Sequence, residues 1–198
     1  MCAHRKSHNT QRNMKTLYID KKIKYDGSQL RSHWIFENTK ILDDAIVAFC
    51  GPADVSLKYM VDLVDVHNKE GIYSNLMLHF IAEHFEMDLK STIFAQRLLC
   101  SIVADELRAM TGVYNIKRTG DDIFDGDKKL SVSIATKSPV SSLIHFGINI
   151  DSKGTPVATK GLDDYNVNVV DFAGIILKRY SDEIFSAGIA QRKVRAVL

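Results

Sequence analysis

The alternation of apolar and polar positions predicts a pair of antiparallel strands in the stretch KKLSVSIATKSPVSSLIHFGINI, residues 128–150. Strand side chains alternate between two faces, and a short polar loop separates the two halves of this stretch. One predicted face is apolar and consists of Leu130, Val132, Ile134, Ile144, Phe146, Ile148 and Ile150. The other face consists of Lys129, Ser131, Ser133, Ala135, His145, Gly147 and Asn149.

The second of these faces carries too many small side chains for an ordinary solvated sheet surface. We therefore expect a ligand to lie on it, with Lys129 as an unpaired cation, because no Asp or Glu in the two strands offers it a partner. Two other interpretations stay open. In the first, Lys129 is a solvated surface lysine like Lys128. In the second, the small side chains pack against a second subunit in a homodimer.

Periodic patterns elsewhere predict the remaining elements. The segment 92–110 has apolar residues at helical spacing and ends at Thr111-Gly112, so it predicts a helix that covers the apolar face of the strand pair. Segments 74–85 and 169–185 are also predicted to be helical, and residues 113–127 begin a meander of strands. We further expect a hairpin over residues 16–27 and a short strand that Gly51-Pro52 stops.

This order of elements predicts an α+β fold, with a mostly antiparallel mixed sheet, helices on one face and the other face partly open. The chain has 198 residues, of which 45% are hydrophobic and 25% charged, which suits one globular domain. We expect that domain to span residues 15–198, after a disordered basic tail over residues 1–14.

Charge and cysteine content narrow the class of partner. The first fifteen residues hold four of the 26 basic residues and no acid, which leaves 22 basic against 24 acidic residues in the rest. This balance disfavours a nucleic-acid partner. No apolar run is long enough to cross a bilayer and no signal-peptide core is present, so we expect a cytoplasmic protein without a membrane partner. Cys2, Cys50 and Cys100 are interpreted as reduced thiols.

The segment DGSQLRSHW has the densest polar chemistry outside the strand pair. Ser28 is predicted to cap a short helix whose N-terminus receives an anion, so this segment would form a second wall of the pocket that holds Lys129. The alternative is a helix cap with solvated neighbours. The residues concerned are Asp26, Ser28, Gln29, Arg31 and His33.

A pair of histidines in HFIAEH invites a metal interpretation that the spacing opposes. His79 and His84 are five positions apart, whereas zinc proteases use histidines four apart on one helical face. We therefore predict no metal site and expect these histidines to be core or surface residues.

The segment DIFDGDKKLSVSIATKSPVSSLIHFGINI resembles the part of lipoate and biotin protein ligases in which two strands hold the activated acyl group. The resemblance covers residues 93–150. It places Lys129 on the lysine that contacts the carboxylate and phosphate of the acyl-adenylate in that family, and His145 and Gly147 near its His-Gly pair. A fixed cation at this point stabilises the charge that develops during acyl transfer.

From YDGSQLRSHW through GPADV and LHFIAEHF to the strand pair, the chain is also similar to the family called domain of unknown function 366. This resemblance implies a biotin/lipoate protein ligase-like fold, shared with class II aminoacyl-tRNA synthetase cores. The Gly-rich phosphate segments of the ligases have no counterpart, and Val132 stands where they have glycine. No cysteine follows Cys100, which excludes the cysteine mechanism of octanoyltransferases.

Together these observations predict a protein that binds a small molecule through a carboxylate or acyl phosphate. The reaction would be acyl or nucleotidyl transfer, as in a ligase or acyltransferase. The alternative is a non-catalytic module that binds a ligand, a protein or a tRNA on the same sheet face. The cofactor is unknown, since the resemblance implies ATP or an acyl-adenylate while the Gly-rich motifs are missing.

Overall fold

A computed structural model describes residues 13–153 and 157–197 of the chain. Most of the predicted basic tail, residues 1–12, lies outside the described residues. Met14, at the end of that predicted tail, is buried in the core, and its carbonyl accepts a hydrogen bond from the Ser181 hydroxyl. No helix in the described ranges is both long and apolar enough to cross a membrane.

Within the described residues, eight strands and four α-helices form two sheets and two helical layers. The strands are β1 (Lys15–Tyr18), β2 (Ala45–Val55), β3 (Ile72–His84), β4 (Ile116–Thr119), β5 (Asp122–Asp125), β6 (Lys128–Lys129), β7 (Ser131–Lys137) and β8 (Ser142–Asp151). The helices are α1 (Trp34–Thr39), α2 (Leu63–Asn68), α3 (Leu89–Thr111) and α4 (Val169–Lys193), and a short 3₁₀ turn spans Leu162–Tyr165.

The main sheet has the strand order β1-β2-β3-β8-β7, in which β1 pairs parallel to β2 and the other pairs are antiparallel. Strands β4, β5 and β6 form a separate small meander. The predicted α+β class with a mostly antiparallel mixed sheet is confirmed. The predicted helices at 92–110 and 169–185 are confirmed as well, and Asp88 and Asn168 cap them by accepting backbone N–H groups of the first turn.

Packed layers cover both faces of the main sheet, although the two layers differ. On the first face, α3 and α4 bury one large core with side chains such as Phe80 and Phe146. On the second face, Trp34 and Ile35 of α1 pack with Phe49 of β2 in a smaller core. The long helices pack on the first face, and the second face carries a short helix.

Three predicted elements in the first half of the chain are wrong. Residues 74–84 belong to β3 and not to a helix, because a central strand buried on both faces has a continuous apolar run without alternation, and Phe85 follows the end of that strand. The hairpin over residues 16–27 does not form, since β1 pairs with β2. Gly51-Pro52 does not stop β2, which continues through a register shift to Val55.

The predicted register of the strand pair is correct for β8 and wrong for β7. Phe146 and Ile148 lie in the large core, but Ser133 lies opposite Phe146 and Val132 lies opposite Gly147. Ser131, Ser133 and Ala135 therefore share a face with the core residues of β8 and not with His145. Alternation defines the two faces of each strand, whereas the loop between the strands decides which faces coincide.

Gly51 lies where the chain before α1 runs alongside β2. A Cβ added to Gly51 would come within 1.7 Å of the Ile23 carbonyl oxygen. That neighbouring segment cannot easily move, because Ile23 N donates to the Cys50 carbonyl and Tyr25 N donates to the Pro52 carbonyl, each at 2.9 Å. This contact requires glycine at position 51.

We expect Gly51→Ala to lower the free energy of unfolding by about 3 kcal/mol, because the added methyl group forces the backbones apart. Gly174→Ala in α4 is the matched control, since a Cβ there meets no atom within 4 Å. It should stabilise the protein by about 0.5–1 kcal/mol, as is usual for glycine in a helix. Denaturant unfolding measures both changes, and an equal effect of the two would contradict this account of Gly51.

Candidate functional site

A cavity of about 630 Å³ opens on the second face of the main sheet. Its walls come from the segment before α1, the connection between β2 and β3 that contains α2, the strands β7 and β8, and the ends of the small meander. This volume is in the range of small-molecule sites. Its polar and aromatic lining includes Tyr25, Tyr59, Asp65, Ser74, Asp122, Lys129, His145 and Asn149.

Lys129 lines this cavity as expected, but it is not unpaired. Its Nζ lies 2.8 Å from Oδ2 of Asp122 on β5, and about a third of each side chain is exposed. The expectation considered only the two strands of the pair, whereas the partner comes from the small meander. Burial raises the pKa of the Asp122 carboxyl, while the bond to Lys129 acts in the opposite direction.

Acidic residues outnumber basic ones around the cavity. Five acidic residues line it against two lysines, Lys69 and Lys129. Asp62 is occupied as the cap of α2, and Asp121 accepts a hydrogen bond from Gln96. The side-chain carboxyl of Asp65 has no hydrogen bond or ion pair within the described part of the chain, and burial, with Asp62 and Glu70 nearby, raises its pKa. An anionic ligand would therefore be repelled by the negative charge of the carboxylates beside Lys129.

His145 and Tyr25 form the aromatic part of the lining. Their rings stack at a centroid distance of 3.7 Å with an angle of 4° between the planes. Nε2 of His145 lies 3.1 Å from Nδ1 of His79, and Nε2 of His79 lies 3.2 Å from the Gly51 carbonyl oxygen. Both histidines are buried, and burial lowers the pKa of His79 to about 4 and that of His145 well below its usual value.

The other predicted residues of β7 and β8 have largely structural contacts. Ser131 and Ser133 border the cavity, but the Ser131 hydroxyl accepts from Ile123 N and the Ser133 hydroxyl accepts from Gln96 Nε2. Asn149 also borders it, and its Oδ1 accepts from the Ser74 hydroxyl at 3.1 Å. Gly147 is not among the lining residues, but it faces His79 and Met77, where a Cβ would lie 3.0 Å from the Met77 methyl carbon.

The prediction that polar side chains of DGSQLRSHW form a second wall of the cavity is wrong. None of its five polar side chains lines the cavity, whereas Tyr25, the residue immediately before them, does. Their hydrogen bonds form the turn and join it to the sheet, and α1 begins six residues after Ser28, which does not cap it. Asp26 accepts from Ser28, Gln29 donates to the Lys24 carbonyl, Arg31 pairs with Glu37, and the His33 N–H donates to Glu83.

The sequence prediction missed Tyr25, Asp65 and Asp122. Tyr25 gave no signal because it was assigned to a hairpin arm. The sequence could have indicated Asp122. The strand that contains it is followed by the meander turn, which reverses the chain and brings Lys129 back beside Asp122. Asp65 lies in a connection whose pattern gave no indication of a site. Cys100 is buried as expected for an inert thiol, and burial raises its pKa to about 12.

Comparison with solved structures identifies the class of fold. The chain is similar to the biotin protein ligase from Aquifex aeolicus in complex with biotin and ATP, with a TM-score of 0.58, 14% identity, and coverage of 85% of this chain and 69% of the ligase. A T. acidophilum protein with bound lipoic acid gives a TM-score of 0.56 at 15% identity, with coverage of 87% of this chain and 85% of that protein. The protein therefore has the biotin/lipoate protein ligase fold.

The chain belongs to the family described as Domain of unknown function (DUF366), whose family model matches residues 14–195. An uncharacterized protein of Methanocaldococcus jannaschii is 37% identical over 166 residues, which are 80% of this chain and 73% of the relative. A protein of unknown function from Pyrococcus horikoshi has a TM-score of 0.89 at 36% identity, and the match covers 94% of this chain and all of that one.

The two buried histidines make stability depend on pH. Their pKa values are lowered in the folded protein, so between about pH 6.5 and pH 4 the unfolded chain binds more protons. The stabilisation is therefore complete above about pH 6.5 and is lost as the pH falls, by about 1.4 kcal/mol per pH unit for each histidine. Asp65 and Asp122 act in the opposite direction, because their pKa values are raised.

Nuclear magnetic resonance separates these contributions. We expect the ring signals of His79 and His145 to remain those of neutral imidazole from pH 7 down to pH 5, while unfolding free energies decrease over the same range. Titration of either ring near pH 6.5 would contradict the buried pair.

Proposed function

We propose that the cavity binds a small molecule through its carboxylate or acyl phosphate, with Lys129 as the cation that contacts this group. The observation that carries the proposal is the position of Lys129 on the wall of a 630 Å³ cavity, on the sheet face that is not covered by the long helices. The A. aeolicus and T. acidophilum proteins of the same fold have bound biotin and bound lipoic acid, and both of these molecules are carboxylic acids.

The pair of Lys129 with Asp122 holds the ammonium group in place before a ligand arrives. Lys129 pairs with Phe124 of β5 on one side. On the other side it forms a bridge with Thr159, and its N donates to the Ala158 carbonyl at 3.0 Å, so the backbone of residue 129 is held from two sides. A charge-assisted hydrogen bond from a fixed ammonium group is stronger than one from a mobile surface lysine. An incoming anion would share Lys129 with Asp122 or replace it.

The raised pKa of Asp122 and Asp65 favours this exchange at lower pH. A second anion beside these carboxyl groups would raise their pKa further, so binding is accompanied by proton uptake. Protonated Asp122 would leave Lys129 to the ligand and could donate a hydrogen bond to it.

Acyl or nucleotidyl transfer is the reaction that this site would support. Lys129 would stabilise negative charge on the acyl phosphate during the transfer. The chain lacks the Gly-rich phosphate segments of the ligases, so ATP and an acyl-adenylate remain proposals. A non-catalytic binding module is the second candidate. It is favoured by the occupied hydroxyls of Ser131 and Ser133, which leave few polar side chains beside Lys129.

We expect Lys129→Ala to weaken the binding of biotin or lipoate by about tenfold to a hundredfold, because a charge-assisted hydrogen bond is lost. Stability should change by less than about 1 kcal/mol, since the ion pair is partly exposed. Lys128→Ala is the matched control, because its exposed side chain is not among the cavity residues. Asp122→Asn should strengthen binding by removing the competing carboxylate.

Titration calorimetry of the four proteins and a melting curve for each test these expectations. Equal affinities for the Lys129 and Lys128 variants would rule out the role of Lys129. Weaker binding by Asp122→Asn would instead assign that carboxylate to a direct ligand contact. Release of pyrophosphate from ATP in the presence of the acid separates an enzyme from a binding module.

We also expect the affinity for a carboxylate ligand to increase as the pH falls from 7 toward the range in which carboxyl groups titrate, because the pKa values of Asp65 and Asp122 are raised. Proton uptake by Asp65 and Asp122 on binding is the cause, so calorimetry in buffers of different ionisation enthalpy should detect it. Affinity that is constant or decreases over this range would show that these carboxyl groups do not lie beside the bound anion.

A further inference from the structure

The hydrogen bonds behind the cavity determine which nitrogen of His145 carries a hydrogen. The Gly51 carbonyl can only accept, so Nε2 of His79, 3.2 Å away, must be the donor. His79 is buried and neutral, so its Nδ1 has a lone pair and accepts from Nε2 of His145 at 3.1 Å. His145 is also neutral, and its Nδ1 therefore carries no hydrogen and can only accept.

This Nδ1 atom has no protein partner within residues 13–153 and 157–197. His84 Nδ1 is the single side-chain nitrogen or oxygen in those ranges that is both sealed from solvent and without a hydrogen-bond partner. Since His145 lines the cavity and its other nitrogen is bonded to His79, its Nδ1 is open to the cavity.

The hydroxyl of Tyr25 also lacks a hydrogen-bond partner within the described residues and is accessible from the cavity. The Tyr25 ring lies flat against His145 on the cavity wall. The stacking holds both rings in place, so a ligand meets an acceptor from His145 next to a hydroxyl that can donate or accept.

His145 and Lys129 lie at two separate points along the cavity. Asn149 N donates to the Leu130 carbonyl at 2.9 Å, which places the end of β8 beside Lys129. His145 is four residues further back along β8, and four residues of strand span about 13 Å. A ligand whose anionic group contacts Lys129 can therefore place its far end at His145.

We propose that, among carboxylate ligands, the cavity selects those whose far end carries an N–H or O–H group that donates to His145 Nδ1. This inference rests on the function proposed for Lys129. A ligand with a purely apolar end would bury His145 Nδ1 without a partner, which is the kind of loss that makes polar sites discriminate strongly.

The hydrogen positions can be tested on the unmodified protein without any ligand. Long-range ¹H–¹⁵N correlation spectra of ¹⁵N-labelled protein at pH 7 should show both His79 and His145 with hydrogen on Nε2 and a bare Nδ1. A hydrogen on Nδ1 of His145 would overturn the inference, whatever the cavity binds.

Binding of two matched acids tests the selection itself. Biotin and lipoate share an acyl chain and differ in the ring at its end, since the biotin ring carries N–H groups and the lipoate ring carries none. We expect biotin to bind at least about tenfold more tightly. His145→Gln can keep the contact with His79 but lacks the acceptor at the Nδ1 position, so it should lose this preference. His145→Asn keeps an acceptor there and should retain it.

The outcomes separate this inference from the proposed function. If lipoate binds as tightly as biotin through Lys129, the role of His145 is wrong and that of Lys129 stands. If neither acid binds, the carboxylate function is wrong, and the selection falls with it. Equal effects of the two His145 variants on both acids, with melting temperatures that show folded proteins, would assign His145 a packing role only.

Discussion

Burial of the central strands on both faces is the constraint on which the rest of the structure depends. Residues 141–150 are all buried, and so is β3 from Met77 to its end. Little of their polar side chains is exposed, so most of the polar atoms find partners within the protein. They do so in pairs across the strands: Ser74 with Asn149, His79 with His145, and Glu83 with Ser141. The cavity face is therefore made of groups that orient one another.

The two faces of the main sheet have different roles, since the first contributes mainly to stability and the second contains the cavity. Long helices bury the first face under a large apolar core, which supplies most of the hydrophobic stabilisation. Short segments cover the second face incompletely, and the space they leave is the cavity. Lys129 reaches this space from the small meander, and Asp122 comes with it because β5 and β6 are paired.

Sequence patterns predicted the elements in which one periodicity dominates. Helix α3 has a broad apolar stripe between a capping Asp88 and Gly112, and β8 alternates clearly, so both were located correctly. The prediction for β3 was wrong because burial on both faces removes the alternation of apolar and polar residues. The apolar run of this strand then matched a helical period by chance. Lys129, His145 and Asn149 were found because they alternate with core residues. The ion pair with Asp122 and the stack of Tyr25 on His145 depend on contacts between distant segments, which no local pattern encodes.

The connection between β2 and β3, residues 56–71, contributes much of the outer cavity wall but little to either core. Of its residues, Met60 packs against the smaller core, while Leu57, Val61, Leu63 and Val64 are exposed. Both of its ends are held by antiparallel strands, and the entropy of closing a loop rises only slowly with its length. Natural variation or directed evolution can therefore exchange this connection as a module, which would change the shape and charge of the binding site while the sheet and its histidine pair remain as they are.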